Sequence, residues 1–208
     1  MYILHLLLLL IIALDSTEAS AGLLAGIGGR WQNFSLRPRD TEATPNYYGY
    51  GVDVDLGYSF SHLFDISIYG DYVPAQRNTA TLGKEMVQFR EYGGKFGFRI
   101  GGNIYVALRG GVFVYRLLFR SNDQEQDGEW MGNGGALSIG AFQRRQREHF
   151  LHIAFDLGSA NLSRYDEVDE KKRIIDIVGV SLKYTFIVFD GFKVGSLFGG
   201  GFFKSLDM

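Results

Sequence analysis

The feature that most constrains this chain is an unbroken alternation of apolar with small or polar residues over positions 47–60. Tyr, Val, Leu and Phe occupy every even position from Tyr48 to Phe60, whereas Gly, Asp and Ser occupy the odd positions between them. A period of two is typical of a β-strand, since a helix would repeat every three to four residues. The run exceeds the usual globular strand of about 5–6 residues and suits a tilted transmembrane strand of about 9–11 residues with interfacial ends.

The same alternation predicts further strands, so the fold class is all-β. Eight strands are expected in total, with the first and sixth the weakest, over residues 22–36, 47–60, 65–73, 92–100, 104–115, 133–143, 150–162 and 178–186. We therefore predict an up-and-down antiparallel transmembrane β-barrel of about eight strands. Ten strands stay open, because Asp190-Gly191 is a hairpin signal and residues 187–208 form either a tail or an extra strand.

The connections between these segments give an independent indication of the fold. Short connections (61–64, 101–103 and 144–149) alternate with long polar ones (37–46, 74–86, 120–132 and 163–173). Outer-membrane barrels sort their connections in this way, with tight periplasmic turns and larger extracellular loops.

The alternative architecture is a soluble barrel such as a lipocalin, because alternation alone does not say which face points outward. The polar face of the predicted strands consists mostly of Gly, Ala and Ser with isolated charges. Small residues suit the narrow interior of an eight-stranded barrel, which side chains alone fill. We therefore favour the barrel whose apolar face meets lipid.

The N-terminal residues differ from the rest of the chain. An apolar run from Ile3 to Leu14 is followed by four polar residues and then by Ala19-Ser20-Ala21. This order predicts a secretory signal peptide over residues 1–21, cleaved before Gly22, although its first residues contain no Lys or Arg. A short membrane anchor is the alternative, but twelve apolar residues are few for a helical span. The barrel is then expected over 22–208, exported to the outer membrane of a Gram-negative bacterium.

Charge and cysteine content exclude several classes of function. The net charge of −2 at pH 7 provides no domain-scale positive field for nucleic acid. The absence of cysteine excludes disulfide frameworks and thiolate metal sites. We expect no cofactor and no metal.

In its strand pattern the chain resembles the small outer-membrane barrels related to the OmpA transmembrane domain and OmpX. The resemblance covers residues 22–186 and contains no diagnostic motif. Val178 to Phe186, with alternating apolar residues and a terminal Phe, also resembles the signal recognised by the barrel-assembly machinery. The resemblance implies a monomeric barrel in contact with outer-membrane lipid and lipopolysaccharide, and delivered by that machinery.

The candidate site residues are ionisable side chains on the inward faces of the predicted strands. Burying a charge is costly unless it is paired and hydrogen-bonded, so side chains of opposite sign are expected to pair in the lumen. Such a network is either structural or a gate for ions. The predicted members are Asp53, Asp55, Asp65, Lys95, Arg99, Arg109, His152, Asp156 and Lys183.

These patterns favour a non-enzymatic barrel that stabilises the envelope or binds surface partners through its loops. A narrow channel for ions or small solutes is the first alternative. A lipid A-modifying enzyme is the second, with His152 as its candidate base. Asp156 lies four residues after His152 on the same face, but no serine two residues away completes a dyad. We therefore assign no catalytic residue.

Overall fold

The computed structural model describes residues 22–38, 45–60, 64–79, 83–100, 103–120, 129–146, 149–164 and 173–190. These residues form eight β-strands, as predicted. The strands are β1 (Gly22–Pro38), β2 (Asn46–Ser59), β3 (Phe64–Thr79), β4 (Gly83–Ile100), β5 (Ile104–Arg120), β6 (Glu129–Gln146), β7 (His149–Arg164) and β8 (Arg173–Asp190). The predicted signal peptide and residues 191–208 lie outside the described residues.

The strands form a closed barrel in chain order, in which every neighbouring pair is antiparallel and β1 pairs with β8. Closure gives each of these strands a hydrogen-bonding partner on both sides, so the described sheet has no edge. The prediction of an up-and-down eight-stranded barrel is confirmed. In the part of the chain that the structure describes, no helix is long and apolar enough to cross a membrane.

Residues 74–86 correct the predicted pattern of connections. They were expected to form a long polar loop, but β3 extends to Thr79 and β4 begins at Gly83, leaving only residues 80–82 between them. Val73, Ala75 and Val87 continue the inward alternation beyond the predicted strand ends. The strict alternation of short and long connections is therefore wrong at this hairpin. Residues 187–190, assigned to a tail or an extra strand, continue β8.

The two faces of the sheet differ in chemistry, since buried charges occur only on the inner one among the described residues. Apolar side chains point outward along every strand and are widely exposed, with Tyr50 at 74% and Ile68 at 68%. Charged side chains such as Asp55 and Arg109 point inward and are buried. An apolar outer face is the reverse of that of a soluble barrel, whose outward side chains are polar and meet water.

The lumen has three layers between its two ends. We call the end with connections 39–45, 80–82, 121–128 and 165–172 the loop end, and the opposite end the turn end. An apolar layer fills the loop-end half, and a layer of charged side chains lies below it. A smaller aromatic layer near the turn end consists of Tyr105, Ala107, Phe142 and Phe150. The loop-end layer consists of Phe34, Leu36, Tyr47, Val73, Ala75, Val87, Phe89, Phe113, Tyr115, Trp130, Ala160, Leu162, Ile175 and Ile177.

The loop-end layer explains why the first predicted strand has a weak alternation pattern around Phe34. Phe34 is fully buried inside the barrel, and its ring lies 5.2 Å from that of Phe89. The inward face of β1 therefore stays in phase and changes from small and polar to apolar residues as it enters this layer.

Paired glycines on opposite faces of β4 and β5 give a direct test of this orientation. A Cβ at the inward Gly111 would lie 2.2 Å from the carbonyl oxygen of Tyr92, whereas one at the outward Gly110 would meet nothing closer than 3.8 Å. We expect Gly111→Ala to destabilise the barrel by about 1–3 kcal/mol through overpacking. Gly110→Ala is expected to be neutral or stabilising.

Urea unfolding of the refolded barrel, followed by circular dichroism, measures both effects. Gly93→Ala and Gly94→Ala form a second matched pair. A Cβ added at the inward Gly93 would lie 2.1 Å from the carbonyl oxygen of Gly110, whereas one added at the outward Gly94 would meet no atom within 4 Å. Equal midpoints within both pairs would contradict the assignment of faces.

Candidate functional site

The structure places all nine predicted site residues on the inner surface of the barrel. All are buried except Lys183, which is half-buried. Eight of them form ion pairs with one another or with other lumen residues. Most of these pairs join strands that are not neighbours in the ladder, such as β2 with β4 and β8, and β5 with β3 and β7, because the side chains reach across the narrow lumen.

Two arginines hold the centre of the charged layer. Arg109 Nη1 lies 2.8 Å from Asp71 Oδ2 and 3.5 Å from Glu91 Oε1, and Arg109 Nη2 lies 3.6 Å from Asp156 Oδ1. Arg30 approaches the same three carboxylates. The two guanidinium groups therefore share carboxylates from β3, β4 and β7. Ion pairs thus join these three strands to β1 and β5 at the centre of the lumen.

Hydroxyl groups donate additional hydrogen bonds to two of these carboxylates. Tyr69 Oη donates a hydrogen bond of 2.6 Å to Glu91, and Ser138 Oγ donates to Asp156. Arg109 also lies over the Tyr69 ring, 5.3 Å from its centroid. Buried charges are tolerated only where such additional contacts replace water.

A second group of pairs lies closer to the turn end. Lys183 Nζ lies 2.8 Å from Asp53 Oδ1 and 3.2 Å from Asp55 Oδ2, and Lys95 contacts the same Asp55 oxygen. Both lysines therefore bind one carboxylate of β2, so β2 is linked to β4 and to β8.

A separate pair lies beside this group. Arg99 Nη2 donates a hydrogen bond of 2.7 Å to Asp65, and Arg99 also lies 5.0 Å from the centroid of the Phe150 ring. The Phe150 ring belongs to the aromatic layer, so Arg99 is the point at which the charged and aromatic layers meet.

His152 differs from the other predicted members. Neither of its ring nitrogens has a hydrogen-bond partner among the described residues. Its ring lies 4.8 Å from that of Tyr105 and about 6 Å from those of Phe142 and Phe150. His152 therefore belongs to the aromatic layer, and Asp156 is occupied by Arg30, Arg109 and Ser138 instead.

Three central members of the network were absent from the predicted set: Arg30, Asp71 and Glu91. Arg30 lies on the small-residue face of the weak segment 22–36, and Asp71 shares a face with the predicted Asp65. Glu91 is one residue before the predicted start of its strand. Alternation within the predicted segments already places Arg30 and Asp71 on inward faces, and extending the segment 92–100 by one residue would have added Glu91.

A small polar cavity of about 30 Å³ lies within the charged layer. Arg30, Lys95, Arg99 and Lys183 contribute to its wall, as does His152. This volume holds about one or two water molecules. Among the described residues, no group of His, Asp and Glu side chains is arranged to bind a metal ion.

Comparison with known proteins places this fold among bacterial barrels. No protein-family model and no curated protein sequence matches the chain. Solved structures do match. Ail, the attachment invasion locus protein of Yersinia pestis, aligns over 79% of this chain and 99% of its own, with a TM-score of 0.51 and 12% identity.

Two further matches are also small outer-membrane barrels. Neisserial surface protein A aligns over 80% of this chain and 98% of its own, with a TM-score of 0.49 and 10% identity. OprG of Pseudomonas aeruginosa aligns over 81% and 95%, with a TM-score of 0.45 and 8% identity. The fold is the one that the sequence resemblance predicted. At these identities the similarity establishes the fold alone.

The contribution of the charged layer to stability can be tested at Arg109. Arg109→Met leaves Asp71, Glu91 and Asp156 with one buried cation fewer, and removing one partner of a buried pair costs about 3–5 kcal/mol. The control is Arg37→Met, which breaks the pair with Asp176 on the outer surface and is expected to cost at most about 1 kcal/mol.

The free energies of unfolding are measured in urea for the refolded barrel in detergent. A cost for Arg109→Met no larger than that for Arg37→Met would mean that the buried network does not stabilise the fold.

Proposed function

We propose that this protein is a bacterial outer-membrane barrel with a closed lumen. It stabilises the envelope or binds partners at the cell surface, and it acts through its outer face and its loop-end connections. The observation that carries the proposal is the filled lumen, in which apolar side chains close both sides of a paired charged layer.

The outer face supports a position in the membrane. On β7 the outward side chains are apolar from Leu151 to Leu157 and become polar at Ser159. On β8 the outward side chains are apolar from Val178 to Phe186, and the next outward side chain toward the loop end is the polar Asp176. Stretches of this length, together with their interfacial ends, match the thickness of a bilayer. A closed barrel also satisfies its backbone hydrogen bonds internally, which hydrocarbon requires.

The alternative of a narrow channel receives little support from the lumen. A conducting pore needs a continuous polar path, but the loop-end half contains fully buried rings such as Phe34, Phe89 and Phe113. The polar cavity is limited to about 30 Å³. An ion would have to cross both apolar layers, and moving a charge from water into an apolar environment is costly.

The alternative of a lipid A-modifying enzyme rests on His152. The described residues place no hydroxyl within hydrogen-bond distance of its ring, and Ser138 donates to Asp156 instead. Nothing in the described residues therefore favours a nucleophile and base, and we do not propose enzymatic activity.

Binding at the surface is compatible with the fold. Ail, which shares it, is named as an attachment invasion locus protein, although a fold alone does not determine function. In this chain, residues 121–128 and 165–172 connect strands at the loop end and are rich in polar and charged side chains. We propose outer-membrane lipid and lipopolysaccharide as its surroundings, the barrel-assembly machinery as its insertion partner, and a monomeric state.

The first experiment tests the closed barrel in a membrane. The mature chain is refolded with lipid and run on a gel before and after boiling, and the same sample is added to planar bilayers. We expect a heat-dependent mobility shift together with no stepwise ion conductance, because the barrel is closed and its lumen filled.

The outcomes separate the hypotheses. A mobility shift with reproducible stepwise openings would support the channel and overturn the closed lumen. A chain that folds in water without detergent and shows no shift would overturn the membrane location.

The two proposed roles are separated by shortening connections 121–128 and 165–172 to tight turns. The shortened barrel is expected to keep its mobility shift. The shortened and full-length forms are each expressed in cells from which the native protein has been deleted. The detergent sensitivity of these cells is then measured. Rescue by the shortened barrel supports a role of the barrel itself, whereas rescue by the full-length chain alone supports a role of the connections.

A further inference from the structure

The outer face of the barrel contains an apolar groove across β1, β2 and β3, with a volume of about 520 Å³. Two neighbouring rows of outward residues form its wall. One row contains Phe186, Ala25, Leu56 and Ile68, and the other contains Ile27, Val54 and Gly70, with adjacent members paired in the ladder.

The inward residues between these rows contribute little polarity to the groove. Gly26, Asp55 and Tyr69 also line it. The side chains of Asp55 and Tyr69 point into the lumen, where Asp55 binds Lys95 and Lys183 and Tyr69 donates to Glu91. The groove therefore presents an apolar surface to whatever fills it.

The depth of the groove defines its surroundings. Ala25 is three residues after the first residue of β1, and Leu56 is three residues before the last residue of β2. At about 3.3 Å per residue along a tilted strand, the groove begins less than about 10 Å above the turn end. Turn ends are periplasmic in outer-membrane barrels, so the groove lies in the periplasmic half of the apolar surface.

Small residues form the floor of the groove. A Cβ at Gly70 would meet only Val54 Cγ2, at 3.9 Å, so glycine is not required there by the packing of the barrel. Glycine within a strand weakens it and often marks a place where another molecule approaches closely. Ala25 provides a similarly shallow position on β1.

We propose that this groove binds one acyl chain of a phospholipid from the periplasmic leaflet. The inference rests on the proposed outer-membrane location. We take the volume of one methylene group as about that of one water molecule in the liquid, roughly 30 Å³. A groove of about 520 Å³ then has room for one long acyl chain. An apolar groove at this depth contacts hydrocarbon and would otherwise be an unfilled void beside it, which forfeits dispersion contacts.

The test uses Gly70→Leu, which fills the floor of the groove, and Gly110→Leu as its matched control. Gly110 also points outward, with no neighbouring atom closer than 3.8 Å to an added Cβ, but it does not line the groove. Ala25→Leu is a second filling variant from another strand. Each protein is refolded into vesicles of phosphatidylethanolamine and phosphatidylglycerol that contain a phospholipid with a photoreactive diazirine in its acyl chain.

Illumination followed by peptide mapping measures crosslinks to the groove segments of β1, β2 and β3. We expect crosslinking there to fall about tenfold in Gly70→Leu and Ala25→Leu, the effect of losing about two buried methylene contacts. The control is expected to match the wild type. Native mass spectrometry in detergent should show one retained phospholipid in the wild type and control, and none in the filling variants.

The remaining outcomes overturn the proposal in distinguishable ways. A wild-type chain that does not insert into the vesicles would overturn the membrane location itself. Insertion with equal crosslinking in all four proteins would overturn the groove alone. Displacement of the retained phospholipid by added lipopolysaccharide, at equal molar amounts, would overturn the assignment to the periplasmic leaflet.

Discussion

The narrow lumen of a closed eight-stranded barrel is the constraint on which the rest of this structure depends. Every second side chain points into that space, and charges placed there lose their water. The chain meets this cost by sharing carboxylates between cations, so that Arg30 and Arg109 both contact Asp71, Glu91 and Asp156. Since these residues come from β1, β3, β4, β5 and β7, the network joins strands that are far apart in sequence.

The same constraint explains where inward glycines occur. A Cβ at Gly26 would collide with Asp55 and press on Lys183, so the absence of a side chain on β1 makes room for an ion pair between β2 and β8. Inward Gly93 and Gly111 face each other across β4 and β5 and allow their backbones to approach closely. An added Cβ at the outward Gly70 would meet only Val54 Cγ2, at 3.9 Å. Packing inside the lumen therefore explains the inward glycines and does not explain Gly70.

Strand number and topology could be predicted from the sequence because a period of two is a local property, and the direction of the faces followed from the small residues on the polar face. Residues 74–86 could not be assigned from it, since Pro74 and a run of polar residues interrupt the pattern before Val87 and Phe89 restore it. The composition of the site was only partly predictable for a different reason. Alternation shows that Arg30 and Asp71 both point inward, but their contact depends on the stagger of strands 41 residues apart.

The inner and outer faces of the first three strands are physically connected. Asp55 points inward to two lysines, while its neighbours Val54 and Leu56 point outward into the groove. The charge pairs link β2 through the lumen to β4 and β8, directly behind the backbone that forms the groove wall. The cavity among the described lumen residues has room for little more than water, so the proposed function places the contacts of the barrel on its outer face and its connections. In that proposal the ion network has a structural role, because it links the strands that form the outer surface.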